Sequence, residues 1–255
     1  MPTQKSKAKL FRSLHVPGTP LILFNAWDAG SAKAVTAAGA QAIATGSWSV
    51  AKANGFDDGE DLPLDLVTAN LARIAKATDL PVTIDLESGY GKMPKDVAKT
   101  IRRSIDAGAI GCNLEDSRPS TGKLRAAADQ AKRIAAVRKA ADTTGIAYFI
   151  NARTDAFFQK PAKDHDAAMV AEALKRARIY ADNGADGLFV PGVIDEGLIA
   201  RIAEASPLPV NVMVSQGTPA FGILAKRGVA RISHGPRPYL LAMKALEEAA
   251  RAARL

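Results

Sequence analysis

The chain has 255 residues, a formal net charge of +8, 47% hydrophobic residues and 24% charged residues. This composition is typical of a globular protein, and the length is close to the roughly 250 residues of a single (β/α)8 barrel. The basic residues are spread along predicted helical faces and aromatic residues make up only 5% of the chain, so we expect no nucleic-acid partner.

Membrane and secretory signals are also missing from the sequence. No apolar stretch follows the charged residues at the N-terminus, and no segment approaches the roughly 18 apolar residues of a membrane span. The single Cys112 excludes an intramolecular disulfide. We therefore expect a cytoplasmic protein with no membrane partner.

Short apolar segments alternate with longer amphipathic segments from residue 20 to the C-terminus. The short segments lack a polar alternation, which indicates burial on both faces and is typical of parallel strands. The predicted strands are 21–25, 42–45, 82–85, 111–115, 148–151, 187–190, 210–214 and 229–233. The predicted helices lie at about 28–39, 64–78, 94–107, 125–143, 165–183, 195–205, 218–227 and 236–253.

Eight strand–helix units favour a closed (β/α)8 TIM barrel over a doubly wound open sheet. No linker-like stretch divides the chain, so we predict a single domain over 1–255, with an N-terminal extension at 1–16. Two strand-to-helix connections, 46–63 and 116–124, are long. Long loops at this end of a barrel build the active site, and the Gly, Pro and Ser residues of 117–124 predict a mobile lid.

Four acidic side chains, Asp58, Asp85, Glu87 and Glu115, follow predicted strands. Converging carboxylates need a compensating cation, and Mg²⁺ prefers oxygen ligands. Asp85 is the strongest candidate for a direct ligand because it ends an apolar strand. Its alternative roles are a helix cap or a partner for Arg, and the loop that carries Asp58 is also compatible with an ordinary solvated turn.

Arg153 follows the fifth predicted strand. Its planar guanidinium suits a two-pronged grip on a substrate carboxylate or phosphonate. The alternative is an internal salt bridge to Asp155 or Glu115.

Two further groups of residues are candidates for substrate binding. Gly46, Ser47 and Trp48 follow the second strand, where backbone amides and a hydroxyl could hold an oxyanion. Asn211 lies on the seventh strand, where its amide could donate to a substrate oxygen or form a structural hydrogen bond.

Taken together, these segments resemble the isocitrate lyase/phosphoenolpyruvate mutase superfamily from about residue 17 onwards. The matching segments are Asn25–Asp28, Gly46–Ser47 with Asp58 downstream, Asp85–Gly91, Asn113–Asp116, Asn151–Arg153 and Gly235–Pro236. The resemblance implies a TIM-barrel enzyme that binds Mg²⁺ and a small anionic 2-oxo acid or its enolate. Such enzymes make or break C–C or P–C bonds beside the 2-oxo group.

The resemblance also implies roles for individual residues. Asp85 would bind Mg²⁺ directly, and Asp58, Glu87 and Glu115 would hold its waters. The segment Gly46–Trp48 would grip the pyruvyl carboxylate, with Asp85 beside it, and Arg153 would anchor the other anionic end of the substrate.

An oligomer is implied as well. The C-terminal helix (Pro236–Arg254) would pack on a neighbouring subunit of a homodimer or homotetramer.

The sequence departs from the lyases at two places. Their lid carries Lys-Lys-Cys-Gly-His, whereas residues 117–123 read Ser-Arg-Pro-Ser-Thr-Gly-Lys, with no Cys or His. Where the lyases have a Glu after the sixth strand, this chain has Pro191. The lids of the P–C bond enzymes carry a Lys with an Asn or Thr in a different arrangement. The part expected to stabilise an enolate is therefore intact, and the part that sets the reaction is altered.

These observations predict a Mg²⁺-dependent lyase or decarboxylase that acts on a small 2-oxo carboxylate through a metal-stabilised enolate. One alternative is a P–C mutase or hydrolase of the phosphonopyruvate type, and another is a 2-oxo acid binding protein with little turnover. The candidate catalytic residues are Asp58, Arg153 and Lys123. Lys123 could close with Arg118 over a bound dianion, or both could be solvated surface charges.

Overall fold

The computed structural model describes residues 2–254. All eight strands run parallel in one sheet, in the order β1-β8-β7-β6-β5-β4-β3-β2. The strands are β1 (Leu21–Leu23), β2 (Ile43–Ala44), β3 (Val82–Asp85), β4 (Gly111–Glu115), β5 (Phe149–Arg153), β6 (Gly187–Phe189), β7 (Val210–Met213) and β8 (Arg231–Ser233). A parallel bridge between Ala26 and Thr45 joins the ends that follow β1 and β2. The predicted TIM barrel is confirmed, and each strand lies within or next to its predicted segment.

Helices connect the strands and surround the barrel. They are α1 (Gln4–Ser13), α2 (Ala29–Ala37), α3 (Ser47–Ala53), α4 (Leu64–Lys76), α5 (Pro94–Asp106), α6 (Ala127–Asp142), α7 (Ala167–Asp182), α8 (Glu196–Ala205), α9 (Phe221–Lys226) and α10 (Arg237–Ala252). Two 3₁₀ helices, Asp155–Phe158 and Ala162–Asp164, follow β5. None of these helices is long and apolar enough to cross a membrane.

Local sequence signals explain where several helices begin and end. Asp28 caps α2, where its Oδ1 accepts a hydrogen bond of 2.7 Å from the backbone N of Ser31. Gly108 and Gly184 follow α5 and α7 with φ of 106° and 97°, a conformation that glycine adopts without a steric penalty. These glycines let the chain reverse directly from each helix into the next strand.

Helix α1 lies in the predicted N-terminal extension and covers the amino-terminal end of the barrel. The Phe11 ring contacts the Phe149 ring edge-on at a centroid distance of 5.5 Å, and the His15 ring stacks on Phe149 at 4.0 Å. Phe149 is the first residue of β5, so these aromatic rings lie beneath the strands. The opposite end, where the strands finish, remains for the functional site.

Helix α10 has an unusual surface for the last helix of a barrel. Leu240, Leu241 and Leu246 are 49%, 56% and 63% exposed, and Pro238 is its buried residue. Tyr239 anchors the start of the helix through edge contacts with the Trp27 and Trp48 rings. Most of the apolar face of α10 is therefore not covered by any part of residues 2–254.

Candidate active site

A cavity of about 240 Å³ opens at the carboxyl end of the barrel. Residues from the ends of several strands and from the following loops line it. They are Asn25, Gly46, Ser47, Trp48, Ser49, Asp58, Asp85, Asn113, Arg153, Phe158, Phe189, Met213, Ser233, Gly235 and Pro236. This is the end of the barrel where the sequence predicts the site.

Asp85 is the last residue of β3, and its carboxylate faces this cavity. The carboxylate accepts long hydrogen bonds from two backbone amides, 3.3 Å from Glu87 N to Oδ1 and 3.4 Å from Ser47 N to Oδ2. Asp85 has no ion pair within 4.0 Å among residues 2–254. Burial raises the pKa of Asp85, while the charge of Arg153 opposes this effect. The site thus contains a partly buried carboxylate that has no ion-pair partner among residues 2–254.

Asp58 reaches the same cavity from the loop after α3. The residue is exposed. Its negative charge adds to burial in raising the pKa values of Asp85 and Glu87. The structure therefore brings Asp58 and Asp85 together, as the sequence predicts.

Glu87 lies beside the cavity, and protein donors already contact both of its carboxylate oxygens. Its Oε2 accepts hydrogen bonds from the backbone N of Gly59 at 2.8 Å and of Glu60 at 2.7 Å. Its Oε1 accepts one of 3.0 Å from the Tyr90 hydroxyl. Burial, followed by the charges of Asp58 and Asp85, raises the pKa of Glu87 to about 8.

Glu115 ends β4 and pairs with Arg153, its register partner on β5. The distance from Arg153 Nη1 to Glu115 Oε2 is 2.9 Å, and the Ser117 hydroxyl lies 2.7 Å from Glu115 Oε1. Burial raises the pKa of Glu115 to about 7, against the opposing charge of Arg153.

The four predicted metal-binding carboxylates do not converge on one point. Asp58 and Asp85 line the cavity, whereas Glu87 and Glu115 are engaged by protein donors. Across residues 2–254, no three His, Cys, Asp or Glu side chains are grouped to hold an ion. Direct binding of Mg²⁺ by Asp85, with Asp58 holding its waters, stays a prediction. Water-mediated roles for Glu87 and Glu115 remain a prediction.

Arg153 lines the cavity and also forms the internal salt bridges that the sequence offered as an alternative. Nε donates to Asp155 Oδ1 at 2.6 Å and Nη2 donates to Asp155 Oδ2 at 3.2 Å. The rings of Phe158 and Phe189 flank the guanidinium. Burial disfavours its charge, but Glu115 and Asp155 outweigh burial and raise the pKa of Arg153.

Gly46, Ser47 and Trp48 line the cavity where α3 begins. The sequence predicts one long connection over 46–63, and the structure corrects this by placing a helix over Ser47–Ala53. No side chain caps this helix at Gly46. The first amides of α3 are therefore donors at the cavity wall.

Asn211 lies on β7 just behind the cavity and is buried. Its Oδ1 accepts a hydrogen bond of 3.2 Å from Ser233 Oγ, and Ser233 itself lines the cavity. Its Nδ2 has no hydrogen-bond partner among the described residues. Asn211 therefore forms a structural hydrogen bond through Oδ1 and keeps Nδ2 available as a donor. Donation from Nδ2 to a substrate oxygen remains a prediction.

Residues 117–124 form a small hairpin. Ser117 and Leu124 form an antiparallel bridge, and Arg118 N donates to Lys123 O at 2.9 Å. Arg118 and Lys123 are exposed, and Lys123 is not among the residues that line the cavity. A catalytic role for Lys123 would require the hairpin to move, and ordering of this segment by a ligand remains a prediction.

The structure adds site residues that the sequence analysis did not select. Asn113 carried a usable signal, since it is a polar residue in mid-strand whose register neighbours are Asp85 and Asn151. Phe158, Phe189 and Met213 form an apolar wall of the cavity. These three carried no signal, because apolar residues near strand ends also fill the core.

Comparison with known proteins identifies the family. The model of the phosphoenolpyruvate phosphomutase family matches residues 11–254. The chain belongs to this family. The predicted membership of the isocitrate lyase/phosphoenolpyruvate mutase superfamily is confirmed, which supports an enzyme of the lyase or mutase type.

Three similar proteins illustrate the range of the family. The crystal structure of a proposed phosphonomutase from Burkholderia cenocepacia J2315 is 59% identical, with a TM-score of 0.97 over 99% of this chain and 100% of that one. An uncharacterized protein from Mycobacterium tuberculosis is 35% identical over 244 residues, which are 95% of this chain and 88% of the relative. A 2-methylisocitrate lyase from Salmonella typhimurium is 30% identical over 221 residues, which are 85% of this chain and 73% of the lyase.

Proposed function

We propose that the protein is a Mg²⁺-dependent lyase or decarboxylase that cleaves a C–C bond beside a small 2-oxo carboxylate. The observation that carries this proposal is the carboxylate of Asp85, which is partly buried at the cavity, lacks an ion pair within residues 2–254, and has Asp58 nearby. Two negative charges at the end of the barrel need a compensating cation. Membership of the phosphoenolpyruvate phosphomutase family supports chemistry on a 2-oxo carboxylate.

The donor set fits Mg²⁺. Asp85 offers a carboxylate whose two amide contacts are long, at 3.3 and 3.4 Å, and Asp58 is exposed to solvent beside it. One or two carboxylates completed by waters and substrate oxygens are typical of Mg²⁺ sites. Asp85 would hold the ion, with Asp58 close enough to bind its waters. When bound, Mg²⁺ would supply a Lewis acid that stabilises negative charge developing on the 2-oxo oxygen.

The residues of the chain would bind and orient the substrate around that centre. Trp48 N, together with Ser47 N, whose contact with Asp85 Oδ2 is long at 3.4 Å, would donate to the substrate carboxylate. Arg153 would face the other anionic end, held in place by its salt bridges. The wall formed by Phe189 and Met213 would keep water away from the reacting carbon.

Size and charge favour a compact substrate. The cavity is about 240 Å³, and Arg153 is the cationic side chain among its lining residues. That guanidinium already pairs with Asp155 and Glu115, so little positive charge remains for a tricarboxylate. The hairpin at 117–124 also lacks the Cys of the methylisocitrate lyases. A 2-oxo acid with one or two carboxylates, such as oxaloacetate, therefore fits better than methylisocitrate.

P–C bond chemistry is the second candidate, and the relationship to the proposed phosphonomutase at 59% identity favours it. The test is an assay of the purified protein with Mg²⁺ on oxaloacetate, phosphonopyruvate and methylisocitrate, each repeated with a chelator. We expect chelator-sensitive turnover of oxaloacetate. Turnover of phosphonopyruvate alone would establish the second candidate. Oxalate binding by calorimetry without any turnover would indicate a 2-oxo acid binding protein.

We also propose that α10 packs on a neighbouring copy of the chain. Its leucines are uncovered, and a surface cavity of about 650 Å³ lies between β1 and α2. Ile22 and Phe24 line that cavity and are 37% and 40% exposed. An apolar helix and an apolar cavity of this kind are complementary in a symmetric oligomer.

A further inference from the structure

Two loops beside the cavity bind each other reciprocally through their carboxylates. Glu87 Oε2, in the loop after β3, accepts hydrogen bonds from the backbone N of Gly59 and Glu60 at 2.8 and 2.7 Å. Glu60 Oε1, in the loop after α3, accepts hydrogen bonds from Ser88 Oγ and Tyr90 N at 2.7 and 2.8 Å. We call this pair of carboxylates, Glu60 and Glu87 with these four donors and the Tyr90 hydroxyl that donates to Glu87 Oε1, the carboxylate clasp.

The clasp holds its residues in an unfavourable backbone conformation. Among residues 2–254, the non-glycine residues with positive φ are Glu60 at 66°, Glu87 at 50° and Tyr90 at 52°. All three belong to the clasp. Such a conformation is unfavourable for a non-glycine residue and persists only where the surroundings enforce it. Because propensity does not favour these conformations, the hydrogen bonds must hold the two loops together.

A buried arginine supports the clasp from below. Arg133 is 2% exposed, and its Nη2 donates to the carbonyl oxygens of Ser88 at 2.6 Å and Gly91 at 2.9 Å. The loop after β3 is therefore fixed to α6. The contacts of the loop after α3 near Asp58 lie at the surface, where Asp57 pairs with the exposed Lys52, and Asp58 itself is exposed and precedes Gly59 directly. The loop after β3, which Arg133 fixes to α6, thus holds the loop after α3.

We infer that Glu60 is a positioning residue that sets the place of Asp58 relative to Asp85. The inference rests on the proposed function in assigning a metal to these two carboxylates, but the anchoring of the loop does not depend on it. Asp58 adjoins one half of the clasp, and Asp85 lies two residues before Glu87 in the other half. Without Glu60 the loop would lose the bonds to Ser88 and Tyr90, and Asp58 would be free to leave the cavity.

Three substitutions of Glu60 separate this role from a general effect on stability. Glu60→Gln keeps the oxygen that accepts both hydrogen bonds, so we expect nearly unchanged behaviour. Glu60→Ala removes the acceptor and leaves the strained φ. Glu60→Gly also removes the acceptor but relieves the strain, because glycine adopts this φ freely. We therefore expect Glu60→Gly to have a higher Tm than Glu60→Ala and the same defect at the site.

The measurements are Mg²⁺ affinity by titration calorimetry and hydrogen exchange of the amides of Gly59, Glu60 and Tyr90 in metal-free protein. We expect Glu60→Ala and Glu60→Gly to bind Mg²⁺ about tenfold more weakly, because the two hydrogen bonds that hold the loop of Asp58 are lost while Asp85 is unchanged. Exchange in the two loops should be faster in both. Asp57→Ala is the control, since Asp57 lies in the same loop and pairs with the exposed Lys52.

The outcomes distinguish the two proposals. Normal amide protection in Glu60→Ala would overturn the positioning role outright. Faster exchange with unchanged Mg²⁺ affinity would also overturn it, because Asp58 would then not depend on the clasp. If the wild-type protein binds no Mg²⁺, the proposed function fails, and loss of amide protection in Glu60→Ala and Glu60→Gly but not Glu60→Gln still supports anchoring by Glu60.

Discussion

Asp155 holds the guanidinium of Arg153 by two hydrogen bonds, of 2.6 Å from Nε to Oδ1 and 3.2 Å from Nη2 to Oδ2. The third nitrogen, Nη1, lies 2.9 Å from Glu115 Oε2. Two carboxylates therefore fix the plane and position of a cation that lines the cavity. This pre-organisation would lower the entropy cost of binding an anionic substrate, since the side chain does not need to be ordered on binding.

The first prediction follows from this geometry. Arg153→Lys should weaken oxalate binding roughly ten- to a hundredfold, because an ammonium cannot reproduce the planar contacts and a charge-assisted bond contributes about 1.5–3 kcal/mol. Titration calorimetry in the presence of Mg²⁺ measures this effect. Arg102→Lys, at an exposed position of α5, is the matched control. Unchanged oxalate affinity in Arg153→Lys would restrict Arg153 to a structural role.

The second prediction concerns Asp85. Asp85→Asn should abolish Mg²⁺ binding, and the metal-free variant should unfold at the same or a higher Tm than the wild-type protein. The reason is that burial raises the pKa of Asp85 and so makes its charged form unfavourable in the fold. Calorimetric titration and thermal unfolding measure the two quantities, with the exposed Asp79→Asn as control. Wild-type Mg²⁺ affinity in Asp85→Asn would remove Asp85 from the metal site.

The barrel could be predicted from the sequence because its signals are local. Unalternating apolar strands such as Val82–Asp85, and glycines such as Gly184 after a helix, repeat along the chain. Helix α1 could not be predicted in this way. Most of its residues are polar, and it is held by Ala8 and Phe11, which are buried against other parts of the chain. Its formation therefore depends on tertiary contacts, which a local pattern does not report.

The functional site, too, contains residues that local sequence signals predict and residues that depend on tertiary contacts. The sequence indicates Asp85 and Arg153 as site candidates because each is a charged residue at the end of an apolar strand. The role of Glu60 was not, because its carboxylate accepts hydrogen bonds from Ser88 and Tyr90, about thirty residues away. Such contacts depend on how two loops meet, and no spacing within either loop indicates them.

The third prediction concerns acid stability. Burial, together with the charges of Arg231 and Arg12, lowers the pKa of His15 from 6.5 to about 3. The folded protein therefore favours the neutral ring of His15. Above pH 6.5 the ring is neutral in the unfolded chain as well, so His15 does not reduce the free energy of unfolding there. Between pH 6.5 and 4.5 the unfolded chain binds a proton that the folded chain excludes. This difference should lower the free energy of unfolding by about 2–3 kcal/mol.

Denaturant unfolding at pH 7 and pH 4.5 measures this loss. His15→Gln cannot titrate, so its free energy of unfolding should fall less over the same interval, although the variant loses the stacking on Phe149 and starts from a lower value. Carboxylates titrate in both the wild type and His15→Gln. Their contribution therefore cancels when the losses of unfolding free energy of the two proteins are compared. Equal losses in His15→Gln and in the wild type would contradict the assignment to His15.

The fourth prediction concerns the oligomer proposed for α10. Leu241→Asp should dissociate it, because a charge would replace a leucine whose burial is worth about 1.5–3 kcal/mol in each subunit. Phe24→Asp, on the opposite side of the proposed contact, should have the same effect. Lys244→Asp, at an exposed polar position of α10, introduces the same side chain and should leave the oligomer intact. Light scattering after size exclusion gives the masses, and circular dichroism checks that each variant is folded. A monomeric wild-type protein, or an oligomer unaffected by Leu241→Asp, would show that the apolar face of α10 has another role.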